Sequence, residues 1–242
     1  SRHCHHSARL KERWLLPLLV RLYLPGAAGV IGVSDGVSKE IQRAARLKRE
    51  RVHTIYNPVL SSALYRKAAE PINHPWFVID REWLTVTTVG RLTEQKDQRT
   101  LLKAVARIHD RRPIRLLVLG HGEQLAELQA LVRGLRISGI VQFAGFDSNP
   151  YRYIAKSDVF ALSSRWEGFG NVLVEALALG VSVVSTDCES GPREVLAEGA
   201  RAMMIEVSPA EAGPGALVLF RMMPRAIAKH VGVLTGPGTF LH

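Results

Sequence analysis

Glu167-Gly168-Phe169-Gly170-Asn171-Val172-Leu173-Val174-Glu175-Ala176-Leu177-Ala178-Leu179-Gly180 follows the apolar run Val159 to Leu162. That run reads as a strand, and Asn171 to Leu179 reads as a helix entered through a turn with two glycines. Glycine in such a turn lets a ligand approach the backbone closely. The helix beyond it presents unpaired N–H groups to an anion, and a diphosphate fits that field. Glu167 precedes the helix at the carboxyl end of the strand, and Glu175 lies on the helix itself. Both carboxylates accept hydrogen bonds from paired hydroxyls, so one suits a sugar and the other a ribose in one crevice. A Gly-rich strand-to-helix turn with two exposed acids satisfies the same spacing without a ligand.

Working outward, strands and helices alternate. Leu84 to Val89 is a β-branched run ending at Gly90, and Leu101, Leu102, Val105 and Ile108 give helical spacing over Gln98 to Ile108. Ile114 to Leu119 reads as a buried strand ending at Gly120, and Leu125, Leu128, Leu131, Val132 and Leu135 line one helix face. Ile140 to Phe143, Asp158 to Leu162 and Val181 to Ser185 complete the strands. This rhythm predicts an α/β fold, a parallel sheet covered on both faces, with right-handed crossovers and ligands at the carboxyl ends of the strands.

The flanks differ. Residues 10–24 read as a helix with mixed basic and apolar positions. Val30 to Val33, Val37 to Arg46 and Val52 to Tyr56 read as strand, helix and strand, a piece too small to be a domain alone. Residues 57–80, with Pro58, Pro71 and Pro75, read as a connection. Beyond residue 198, Gly213-Pro214-Gly215 and Gly236-Pro237-Gly238 break the rhythm, and weak or irregular structure is expected.

Two further strand ends carry chemistry. In Val89-Gly90-Arg91-Leu92-Thr93-Glu94-Gln95-Lys96-Asp97, Arg91 and Lys96 place two cations in one turn region, where they could clamp a diphosphate and neutralise a departing nucleotide. Cations at a helix start run against the macrodipole, which favours a functional reason over an ordinary basic turn. Leu119-Gly120-His121-Gly122-Glu123 is half of a dinucleotide glycine pattern, because Leu125 stands where the last glycine belongs. It reads better as a tight turn lining the same crevice.

Composition bounds the classes. Of 242 residues, 47% are hydrophobic and 22% charged, which supports a buried core and excludes disorder as the main state. No apolar run approaches the ~20 residues of a membrane helix. Cys4 and Cys188 make no disulfide framework and no signal-peptide pattern is read, so a reducing, cytoplasmic location is expected. The net charge of +10 is concentrated in residues 1–60, which hold eleven Lys/Arg against four Asp/Glu, while residues 61–200 hold seventeen against sixteen. Without basic–aromatic interleaving this points away from nucleic acid and leaves an anionic membrane surface or a solvated face. His3-Cys4-His5-His6 fits no zinc spacing, so no metal is expected, and Cys188 reads as a packing residue.

The E-x7-E pattern from Glu167 to Glu175, with Gly90-Arg91-Leu92 and Lys96, resembles the retaining GT-B glycosyltransferases of the large bacterial family four. Ile55-Tyr56-Asn57-Pro58-Val59, Asn149-Pro150-Tyr151 and Ser190-Gly191-Pro192-Arg193-Glu194 add to the resemblance, which covers about residues 7–198. It implies a GT-B Rossmann-like donor domain over 81–198, a remnant of an N-terminal acceptor domain over 1–60, a linker over 61–80, and a divergent tail over 199–242. It further implies that Arg91 and Lys96 bind the donor diphosphate and Glu167 contacts the donor sugar. Gly168, Phe169, Gly170, Asn171, Val172 and Leu173 would meet sugar and phosphate, mostly through backbone N–H groups, and Glu175 would hold the ribose hydroxyls. Gly90 carries the cation turn, and Gly120, Gly122 and Phe146 would border the base. The implied substrates are a nucleotide-sugar, UDP favoured, and a glycan or lipid-linked acceptor, with peripheral contact at the inner face of the membrane and no metal or other cofactor. The implied retention is front-face attack with the leaving phosphate as base. The chain alone is expected to bind nucleotide and to transfer sugar poorly or not at all. A catalytically incomplete nucleotide-binding fragment is the main rival reading, and a glycoside hydrolase using Glu167 and Glu175 is a second.

Overall fold

The computed structural model describes residues 18–78, 82–188, 190–197, 201–205 and 217–221. The His3–His6 cluster and most of the basic helix expected over 10–24 lie outside them; residues 18–23 of that helix are helical. The chain divides into two compact units, Ser1–Asn57 and Pro58–His242.

In the first unit, β1 (Val30–Gly32) pairs in parallel with β2 (Val52–Thr54), with Val30 opposite Val52. The crossover is α1 (Asp35–Ala45). It starts two residues before the expected Val37, because the Ser34 hydroxyl caps it by accepting the Val37 N–H at 3.2 Å, and it ends at Arg46 in the left-handed region. A Cβ on Gly32 would lie 2.2 Å from Ser38 Oγ, so glycine is what lets α1 pack onto the end of β1.

The second unit opens with α2 (Ser62–Ala68) and α3 (Pro75–Val78), in the stretch expected to be a linker. Three prolines hide the periodicity of helices this short. Leu64 and Ala68, one turn apart, are nonetheless buried. The Asn149 amide donates to Lys67 O at 2.9 Å and to Glu70 Oε2 at 2.8 Å. Asn149-Pro150 thus ties α2 to α6 (Tyr151–Lys156), another short helix the sequence did not announce.

The main elements are β3 (Leu84–Val89), α4 (Gln98–His109), β4 (Ile114–Leu119), α5 (Leu125–Gly134), β5 (Val141–Gly145), β6 (Val159–Leu162), α7 (Asn171–Ala178), β7 (Ser182–Thr186) and α8 (Pro192–Ala197). They are followed by β8 (Arg201–Ile205) and β9 (Leu217–Arg221). The seven-stranded sheet runs β5-β4-β3-β6-β7-β9-β8. β3 through β7 are parallel, whereas β9 is antiparallel to both β7 and β8. These two strands correct the expectation of irregular structure at 201–205 and 217–221. Each tail strand is only five residues long, too short for its periodicity to stand out beside the glycines and prolines of the tail, and Gly213-Pro214-Gly215 lies outside the described residues.

Strand alternation splits the core in two. Val159 and Ala161 of β6 join Val86, Leu116, Leu101, Val105, Leu128 and Val132, under α4 and α5. Phe160 and Leu162 join Val183, Ile154, Leu173, Leu177 and Leu196, under α6, α7 and α8. Both faces are covered, as a parallel sheet requires. The order of strands then places the site. The chain moves outward from β3 to β4 to β5, and then returns to the other side of β3 with β6. The crevice of an open parallel sheet lies at that reversal, beyond the carboxyl ends of β3 and β6.

Candidate functional site

Both strands at the reversal end in the residues singled out from sequence. β3 leads into Gly90–Asp97, and β6 leads into Ser163–Gly170. The two loops are joined along their backbones. Arg165 N–H donates to Gln95 O at 2.8 Å, the Gln95 amide to Trp166 O at 3.0 Å, and the Ser163 hydroxyl to Lys96 O at 2.8 Å. Arg165 also pairs with Glu94 and Asp97, each at 3.2 Å. On this frame Lys96 Nζ meets Glu167 Oε1 at 2.5 Å, with the two side chains 18% and 8% exposed. The Ser164 hydroxyl donates to the same oxygen at 2.6 Å.

The β3 loop is shaped by its glycines. Gly90 N–H donates to Leu119 O at 3.0 Å, and Leu92 N–H to His121 O at 2.9 Å, so this turn continues the pairing of β3 with β4. Gly120 has φ +138°, and a Cβ there would lie 1.9 Å from Gly90 O. A Cβ on Gly122 would lie 2.3 Å from Leu92 O. The half-pattern of glycines is therefore explained by two turns packed backbone to backbone, as its reading as a tight turn anticipated. Arg91 is exposed, and its carbonyl accepts the amide of the buried Gln98 at 2.9 Å, which anchors the turn to α4. Phe146 is 72% exposed and stands edge-on to His121 with ring centroids 5.8 Å apart.

After β6, Gly170 caps α7 in the left-handed region, φ +82°. Gly168, Phe169, Asn171 and Val172 lie around this helix start. Leu173 does not belong with them. Its side chain is fully buried in the core and its N–H donates to Gly170 O at 2.9 Å, so neither is offered to a ligand. Glu175, the fifth residue of α7, accepts the Tyr151 hydroxyl at 3.1 Å. Burial pushes its carboxyl above the usual range, and the Tyr151 hydrogen bond opposes this in part. Burial, and then the charge of Glu175, push the Tyr151 phenol up in turn. Glu167 and Glu175 thus belong to separate hydrogen-bond systems, the first with Lys96 and Ser164 and the second with Tyr151.

Cys188 is buried, burial pushes its thiol up, and Sγ donates to Ser164 O at 3.1 Å, which fits packing and not nucleophilic chemistry. Among the described residues no group of three or more His, Cys, Asp or Glu side chains is placed to hold a metal ion, and no helix is long and apolar enough to cross a membrane. Ser163, Ser164, Gln98 and Tyr151 are the site residues that sequence reasoning missed. Tyr151 stood inside the quoted Asn149-Pro150-Tyr151 without a role, and only their position, at a strand's carboxyl end or beside a motif, hinted at the others.

The chain resembles known proteins in sequence and in fold. The sequence profile of the family described as Glycosyl transferases group 1 matches residues 74–213. An uncharacterized glycosyltransferase of Methanocaldococcus jannaschii is 37% identical over 181 residues, covering 74% of this chain and 45% of that protein. The N-acetylgalactosamine-N,N'-diacetylbacillosaminyl-diphospho-undecaprenol 4-alpha-N-acetylgalactosaminyltransferase of Campylobacter jejuni is 33% identical, covering 78% of this chain and 49% of that one. The chain thus spans about half the length of these relatives. Among solved structures, the lipopolysaccharide outer core galactosyltransferase WaaB superposes with a TM-score of 0.55 at 27% identity, over 69% of this chain and 45% of that one. Anabaena HepE superposes at 0.58 and 24% identity, over 75% and 50%. These neighbours have the GT-B fold.

Proposed function

Because the chain belongs to the glycosyl transferases of group 1, we propose that it supplies the donor site of a retaining, metal-independent glycosyltransferase that uses a nucleotide-sugar, UDP in the first instance. The observation that carries this reading is the Lys96–Glu167 pair, set beyond the two strands that flank the reversal of the sheet. A carboxylate suited to sugar hydroxyls and a cation suited to a diphosphate touch there, beside a glycine-capped helix start.

In this reading Arg91 and Lys96 hold the diphosphate from the β3 side, and the N–H groups at the start of α7 hold it from the other. Glu175 receives the ribose hydroxyls, and the Gly120–Gly122 turn and Phe146 border the base. The acceptor hydroxyl oxygen bonds to the anomeric carbon on the face from which the diphosphate leaves. The bond from that carbon to the phosphate oxygen breaks, and the acceptor's proton passes to the departing phosphate. Arg91, Lys96 and the helix start stabilise the charge that develops there, which is the role a metal ion would otherwise fill. Glu167 orients the sugar. A glycan or a lipid-linked molecule is the proposed acceptor; the diphospho-undecaprenol in the name of the Campylobacter relative supports the lipid-linked class. The basic surplus of residues 1–60 supports contact with an anionic cytoplasmic membrane face.

A second reading, a nucleotide-binding chain that does not transfer sugar by itself, is favoured by the half-length match to the relatives. Calorimetric titration with UDP, GDP, ADP and UDP-sugars, without metal, tests the donor site in the wild type, Arg91→Ala and Glu175→Ala. Saturable binding of one nucleotide, weakened by both changes, is expected. A folded chain that binds none of them overturns the donor reading, and efficient transfer by the chain alone overturns the second.

A further inference from the structure

We propose that Ser164 is a positioning residue that sets the direction of the Glu167 carboxylate, so that Oε2 is the oxygen offered to the donor sugar. This rests on the reading of Glu167 as the carboxylate that contacts the sugar.

Ser164 lies two residues past β6 and is 1% exposed. Its hydroxyl has a single proton, and that proton goes to Glu167 Oε1 at 2.6 Å. Oε1 also accepts Lys96 Nζ at 2.5 Å, while Oε2 accepts no hydrogen bond among the described residues. The terminal torsion of a glutamate is broad, and one partner leaves the carboxylate free to rotate or exchange its oxygens. Two donors from different loops remove that freedom. Lys96 comes from the β3 loop and Ser164 from the β6 loop, so the carboxylate plane is fixed relative to both walls of the crevice.

The backbone that carries this hydroxyl is itself held from behind, at the Ser164 carbonyl. Ser164 O accepts Thr186 Oγ1 at 2.5 Å and Cys188 Sγ at 3.1 Å, from the end of β7 and the residues after it. Ser163 points its hydroxyl to Lys96 O instead. Two consecutive serines thus act on different partners. Ser163 fixes the backbone that carries the cation, and Ser164 fixes the carboxylate. Lys96 is expected to serve the diphosphate as well, so when a donor draws it away Ser164 is the partner that keeps Oε1 occupied.

The test is a cycle of four proteins, wild type, Ser164→Ala, Glu167→Ala and the double variant, each titrated with UDP and with UDP-glucose, UDP-galactose and UDP-N-acetylglucosamine. Ser164→Ala is expected to leave UDP affinity within about twofold and to weaken the best-bound UDP-sugar by roughly tenfold, the size of one hydrogen bond to a charged group. In the Glu167→Ala background the same change is expected to do nothing to the UDP-sugar. An equal loss for UDP and UDP-sugar, an equal loss in both backgrounds, or no loss at all overturns the proposal, because a merely structural serine behaves in one of those ways. Should Ser164→Ala fail to fold, Ser164→Cys fills the same space with a weaker donor and is expected to shift the sugar affinity in the same direction. A wild type that binds UDP but shows no Ser164 effect on UDP-sugar sinks this inference alone, whereas a wild type that binds neither of these, nor GDP or ADP, sinks the donor reading beneath it.

Discussion

Lys96 Nζ and Glu167 Oε1 lie 2.5 Å apart although the two residues are 71 positions apart in the chain. Their meeting is a product of strand order. β6 inserts beside β3 and not beside β5, so the loops that leave β3 and β6 become neighbours. Neither side chain is freely solvated, and removing one partner strands the other. Lys96→Met is therefore expected to destabilise the chain by about 2 kcal/mol, in the range for a hydrogen bond to a charged group left unmade. The melting temperature should fall by roughly 4–8 °C for a domain of this size. Lys96→Met combined with Glu167→Gln is expected to recover most of that loss. Urea unfolding of the four proteins reads the coupling, and a Lys96→Met chain as stable as wild type would show that the pair carries no stability.

Arg91 contrasts with Lys96 because it is exposed and at the rim of the same turn. Truncating it removes no packed group. Arg91→Ala is expected to leave the unfolding midpoint unchanged and to weaken nucleoside diphosphate binding by about tenfold to a hundredfold, the value of one or two charge-assisted hydrogen bonds. Because the contact is electrostatic, the difference between wild type and variant should shrink as salt is raised. Titration at two ionic strengths checks both parts. Equal affinities at low salt would remove Arg91 from the donor site.

The turns after β3 and β4 make a stability prediction that involves no ligand. Gly120 has φ +138° and its missing Cβ would meet Gly90 O at 1.9 Å. Backbone strain and overpacking each add about 1–3 kcal/mol, so Gly120→Ala is expected to lose about 3 kcal/mol or more. Gly134 ends α5 with nothing within 4 Å of a built Cβ. Gly134→Ala is expected to be neutral or to stabilise by about 0.5–1 kcal/mol. In denaturant melts only Gly120→Ala should fall below wild type, and a Gly120→Ala chain with wild-type stability would contradict the packing of these turns.

The long buried strands were legible because their chemistry is simple. β3 and β4 have the bounds that sequence suggests, since each is an apolar or β-branched run, broken in β4 only by Arg115, and closed by a glycine, Gly90 and Gly120. α2, α3 and α6 were not legible, because a helix of one or two turns buries too few residues to show a period; α6 buries Ile154 alone. Strand order depends on pairings between distant segments, and no local pattern reports it. The site divided along the same line. Glu167, Lys96 and Glu175 stood out as charged residues at strand ends or on the following helix. The roles of Ser164 and Tyr151 depend on which loops meet, and the burial of Leu173 depends on which face of α7 meets the sheet.

Glu175 gives a prediction in which stability and binding move in opposite directions. Burial raises its carboxyl above the ordinary value of 4.5. A carboxyl with a raised folded pKa holds its proton more tightly when folded. Its ionised form therefore detracts from stability at all pH above the folded pKa. That penalty shrinks as pH falls through the folded pKa and is gone below the unfolded one. Glu175→Gln removes the charge and keeps an oxygen for the Tyr151 hydroxyl, which now donates at 3.1 Å. The variant is expected to melt above wild type at neutral and alkaline pH, with the gap closing in acid. Nucleotide affinity should behave the other way. In the proposed site the ribose hydroxyls donate to the ionised carboxylate, a stronger acceptor than an amide oxygen, so Glu175→Gln is expected to bind nucleotide several-fold more weakly at neutral pH. Wild-type affinity should itself decline as pH drops through the raised pKa, while that of the variant stays flat. Thermal melts and titrations across pH measure both. A variant less stable than wild type at neutral pH would mean that the charge is compensated in the folded chain, and an unchanged affinity would remove Glu175 from the ribose.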